Sequence, residues 1–295
     1  GAGGVELRNK VFRAARRRRV RHASACLPRP PGHGFCPPLW TGTSVIVAAL
    51  TALTSLCGLL LEETCARETA SWAARAAGQD AANLLVAVAL LFAALFVRRS
   101  SLRAYLAWLG LLVYLVYAFA IYAFAVRFQF LFPVYVAVLG LSSYTLAGGL
   151  LVAGPTRSGS APGLNRWSGA TALYLIVVGS LFGLLWLAEV VPAAVSGIPP
   201  ASLAENGLLT NPVHILDLAI LLPGMVAAGD LLMRGAFAGR HAAAQLLVFA
   251  VAMGLGILAG FGFSVARGLP VLLPAAVMIL AIVLAGAALA ALFLG

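Results

Sequence analysis

Four ionisable side chains lie within or at the ends of strongly apolar stretches: Asp80, Glu189, His214 and Asp217. Placing a charge in hydrocarbon costs roughly 2.5 to 3.5 kcal/mol on insertion scales, so each of them requires a partner or a function. His214 and Asp217 are spaced i, i+3, on one helical face, where they can hydrogen-bond or share a ligand. Asn211-Pro212 reads as a helix start, with the Asn oxygen capping free amides and Pro accepted in the first turn. Asp217 then sits about 8 Å along that helix, deep enough to need stabilisation by His214, a cation or Arg127. Three carboxylates and an imidazole suit a cation or a proton relay. A satisfied polar clamp near the interface is the structural alternative. Metal-assisted hydrolysis is weakened because one histidine falls short of the two or three usual in catalytic zinc sites. Tyr114, Tyr117, Tyr122, Tyr135, Ser142, Ser143 and Tyr144 offer hydroxyls that line a path inward or bond helices together. Asp230 and Arg234, at i, i+4, read as an anchoring pair.

The elements that carry these residues follow from composition. Apolar residues make up 62% of the chain and charged residues 10%, against about half and a quarter in a soluble domain. The apolar residues come in blocks of about 18 or more, the length a helix needs to cross a bilayer. No period-two alternation supports a barrel, so the fold class is all-α, a polytopic transmembrane bundle. Eight spans are expected, at residues 39–61, 80–97, 104–126, 130–153, 170–195, 212–233, 242–265 and 270–294. They form one domain over 39–295, preceded by a basic, Pro-rich tail over 1–38 that reads as disordered. Small residues at four-residue spacing, Gly256 with Gly260 and Gly286 with Ala290, let helices approach closely.

Nine of the twenty Lys and Arg residues fall in the first 29 positions, so the net charge of +11 belongs largely to the tail. Beside apolar spans, the run Arg16 to Arg19 fits anionic lipid head groups better than nucleic acid. With both termini cytoplasmic, short inner loops hold Arg98, Arg99, Arg103, Arg157, Arg166, Arg234 and Arg240. The outer loops then hold only Arg67, Arg75, Arg127 and Arg267, and the cell membrane is the expected location. Trp40, Trp108 and Trp167 are expected at the inner interface, Trp72 at the outer, and Trp186 deeper. This places all four ionisable groups near the outer leaflet. Cys26, Cys36, Cys57 and Cys65 give no disulfide framework. In the tail His22, Cys26, His33 and Cys36 match no common zinc spacing, so no metal or cofactor is assigned. No Walker, HExxH or GxSxG motif occurs, which leaves ATP-driven transport and the common hydrolases without support.

From Glu62 onward, the motifs Gln79-Asp80, Tyr117-Ala-Phe-Ala-Ile-Tyr122 and Phe130-Leu-Phe-Pro-Val-Tyr135 give the chain a pattern that resembles a group of uncharacterised multi-pass membrane proteins of bacteria and archaea. The acidic loop that ends in Gln79-Asp80 and the run Leu141-Ser-Ser also carry the resemblance. Leu185-Trp-Leu-Ala-Glu189 and Asp217-Leu-Ala-Ile-Leu-Leu-Pro223 complete it. Similar proteins often carry Asn at the place of Gln129, and the basic tail has no counterpart among them. The resemblance implies the fold and no activity. The sequence therefore leads to an outer-leaflet polar pocket that binds or permeates a cation, proton or small polar solute. The alternatives are a membrane-embedded enzyme acting on a lipid or quinone, and a structural subunit or homo-oligomer.

Overall fold

The computed structural model describes residues 38–99, 101–152 and 164–294. The basic tail with its histidines and cysteines, and Arg157, lie outside the described residues. Within them the helices are α1 (Pro38–Leu60), α2 (Ala70–Arg98), α3 (Leu102–Ala125) and α4 (Phe132–Val152). They continue with α5 (Ser168–Ser196), the short α6 (Ala201–Asn206), α7 (Pro212–Met233), α8 (Phe237–Ala266) and α9 (Leu273–Leu294). All but α6 are long and apolar enough to cross a bilayer. Their outward faces are as apolar as the interior: on α2, Leu85, Val88, Phe92 and Leu95 form an exposed helical stripe that only lipid can solvate. The chain is a multi-pass integral membrane protein with an all-α fold.

The centre is α3, whose Tyr105, Trp108, Tyr114 and Phe119 are almost completely buried. It packs on α4, α8 and α2, while α5 pairs with α7 and α8 touches both halves of the bundle. Glycines set the closest crossings. A Cβ at Gly78 of α2 would lie 2.0 Å from the backbone nitrogen of Gly260 on α8, and one at Gly110 of α3 would lie 2.6 Å from the Gln245 carbonyl. Gly256 of α8 faces Gln79 and Gly286 of α9 faces Tyr174, so the small-residue spacing serves packing within the chain.

Three local differences from the sequence expectation matter for the site. First, α2 begins at Ala70, where Thr69 caps it by accepting from the Trp72 amide at 3.2 Å. The alanine-rich turns after that cap are helical although too polar to read as a span, so Asp80 sits ten residues inside a helix and not at its mouth. Second, α7 opens as expected on Asn211, whose side chain accepts from the Val213 and His214 amides, but it is interrupted by a π turn at Asp217–Leu221. There the Leu222 amide reaches back five residues to the Asp217 carbonyl. Pro223 follows directly; its ring cannot tolerate a regular turn before it, and the wider turn accommodates it. Third, Trp108 is buried, not at a lipid interface, and its indole donates to the Ser44 hydroxyl of α1 at 2.8 Å. Tyr144 points out of the bundle.

Candidate functional site

The helix positions of Tyr117 and Tyr122 decide how the acids are distributed. Five residues apart, they project from α3 about 140° apart and roughly 7.5 Å apart in height. Tyr117 donates to Asp217 Oδ1 at 2.8 Å on one side of the helix, and Tyr122 donates to Asp80 Oδ1 at 2.8 Å on the other. The four ionisable groups therefore form two clusters served by one helix.

The first cluster joins α3, α5, α6 and α7. Trp186 of α5 donates its indole N–H to Asp217 Oδ2 at 2.7 Å, so both carboxylate oxygens are held. The same indole packs on His214, with ring centroids 4.5 Å apart and the planes tilted by 35°. His214 Nε2 lies 3.8 Å from Glu189 Oε2, and the Ser202 hydroxyl of α6 donates to Glu189 Oε1. Glu189 is the open member: its side chain is 32% exposed, whereas His214 and Asp217 are both buried. Phe249 of α8 closes the inner side, edge-on to Tyr117 at 5.4 Å. Ser202 and Trp186 were not candidates from sequence, and the only signal for Trp186 was its place three residues before Glu189.

Asp80 belongs to a separate pocket between α1, α2, α3 and α4. Its carboxylate sits against Gly58 of α1, where any Cβ would fall 2.1 Å from Oδ2. Tyr135 packs on Tyr122 at 5.1 Å and accepts from Gln129 at 2.8 Å, so both tyrosines belong to this pocket and only Tyr117 to the other. One turn deeper, Gln79 donates to the Tyr114 hydroxyl, which donates to Asn83 Oδ1 at 2.8 Å. Arg127 reaches neither acid. Its amide donates to Glu68 at 2.8 Å and its guanidinium lies beside Gly207, whose φ of 66° ends α6. Asp230 and Arg234 pair at 2.8 Å on the surface, as their spacing predicts.

Cys65, in the loop between α1 and α2, lines the Asp80 pocket. Burial pushes its thiol up from the ordinary range, which leaves less thiolate near neutral pH. Maleimide should therefore modify Cys65 more slowly in the folded protein than in the unfolded chain, with the folded-state rate still climbing at pH values where the unfolded chain's thiol has levelled off. Peptide mass mapping of the alkylated cysteine reads this directly, and equal rates in both states would contradict the buried setting.

No protein family, curated protein or solved structure matches the chain. Among the described residues no three His, Cys, Asp or Glu side chains stand close enough together to hold a metal ion.

Proposed function

We propose that this membrane protein binds and passes a proton at the Glu189–His214–Asp217 cluster. The observation that carries this reading is the grouping of three titratable side chains, a part-exposed carboxylate paired with the His214 imidazole and a buried carboxylate three residues further along the same helix. A purely structural clamp needs no such grouping. The donors around Asp217 also suit proton traffic. Trp186 can only donate, so Oδ2 stays an acceptor, whereas a tyrosine hydroxyl both donates and accepts. A proton arriving at Oδ1 can be donated to the Tyr117 oxygen, whose own hydrogen then turns away. With the termini cytoplasmic, as the arginine distribution argues, Glu189 opens to the outer side.

The test is flux through purified protein in liposomes, with an imposed pH gradient and an entrapped pH-sensitive dye. The gradient should collapse faster with the protein than in protein-free vesicles, and Glu189→Gln should slow the collapse while leaving the amount of inserted protein unchanged. Flux in the wild type no faster than in empty vesicles would overturn the proposal.

A further inference from the structure

The Asp80 pocket presents an electrostatic problem of its own. Asp80 is 3% exposed, and among the described residues no basic side chain faces it; its neighbours are the Tyr122 hydroxyl and the Ser55 hydroxyl. A buried carboxylate without a counter-charge is costly by several kcal/mol and has to be neutralised. The pocket beside it encloses about 260 Å³ counted with its open mouth, but its interior admits only about one water-sized sphere. Two buried polar atoms belonging to its wall lack any hydrogen-bond partner: Gln129 Oε1, an acceptor, and Trp72 Nε1, a donor.

From this geometry we propose that the Asp80 pocket is a binding site for a single small monovalent cation of the sodium class. Asp80 supplies the counter-charge, and the Gln129 carbonyl oxygen and the phenolic oxygens of Tyr122 and Tyr135 are hard ligands for such an ion. The Trp72 indole can only donate, so it is not counted among the ligands. The room available excludes organic ammonium compounds. A divalent ion is disfavoured because, among the described residues, no three His, Cys, Asp or Glu side chains stand close enough together to hold one. This site stands on α1 to α4 and does not depend on the Asp217 relay.

Purified full-length protein in detergent micelles should be melted in sodium chloride and in N-methylglucamine chloride at equal ionic strength. Sodium should raise the wild-type melting temperature by about 2–4 °C. Asp80→Asn should abolish the difference. Gly58→Ala should abolish it as well, because the added methyl displaces the carboxylate without removing it. Asp217→Asn should keep the full sodium effect, which separates this site from the proton relay. Should Asp80→Asn fail to fold, Gln129→Leu carries the test, and its sodium affinity from fluorescence titration should fall about tenfold. A wild-type protein indifferent to the cation would overturn the proposal, as would an undiminished sodium shift in Asp80→Asn or, if that variant does not fold, unchanged affinity in Gln129→Leu.

Discussion

Asp217→Asn is expected to abolish the proton flux of the reconstituted protein while leaving its folding and insertion intact. The amide is nearly isosteric. Its oxygen still accepts from the Trp186 indole, and its nitrogen can donate to the Tyr117 oxygen once that hydroxyl turns. What disappears is the capacity to carry a proton. Tyr117→Phe separates the two roles, since the acid remains but loses one hydrogen bond to its charged form. Such a bond contributes about 1.5–3 kcal/mol, so flux should fall about ten- to a hundredfold. Measured together in the gradient-collapse assay, the variants should rank wild type, Tyr117→Phe, Asp217→Asn in decreasing order. Wild-type flux from Asp217→Asn would remove the relay, because no other group in the cluster combines this depth with two fixed donors.

The largest loss of stability is expected at Gly78. A methyl there meets the Gly260 backbone at 2.0 and 2.3 Å, and backbone cannot turn aside, so α2 and α8 must separate. Overpacking of this kind costs about 1–3 kcal/mol for Ala and more for larger side chains, and Gly78→Leu should yield no folded protein. Gly140 of α4 is the control, with nothing within 4 Å of an added Cβ. Gly140→Ala should be neutral or stabilising by up to about 1 kcal/mol, because alanine favours helix. Thermal unfolding in micelles compares the pair, and equal melting temperatures for Gly78→Ala and Gly140→Ala would refute the close crossing.

Hydropathy was enough to read the fold class and the number of membrane-crossing helices, because the lipid requirement acts on every residue of a span at once. The start of α2 escaped that reading: the turns from Ala70 to Gly78 are helical by capping and alanine content, while Arg75 and the neighbouring polar residues lower their hydropathy. The proximity of Glu189, His214 and Asp217 was legible from the expected antiparallel run of two spans. The separation of Asp80 from them was not, since it depends on the rotation of Tyr117 and Tyr122 about α3, and rotation is fixed by packing that a single sequence does not display. Ser202 escaped for a related reason. It lies on a six-residue helix in a loop, and only the fold brings it to Glu189.

The π turn in α7 has a consequence for comparing this chain with others. It stores one residue more than a regular helix would use between Asp217 and Leu222, so the segments on either side are offset by about 100° of rotation. A homologue one position shorter in that interval would keep its apolar seam, with Met225, Ala228 and Leu232 still inward, yet aim the acid elsewhere. An alignment gap confined to 217–221 should thus travel with loss of the aspartate, and the two together would mark a branch of relatives that keeps the architecture and has given up the chemistry.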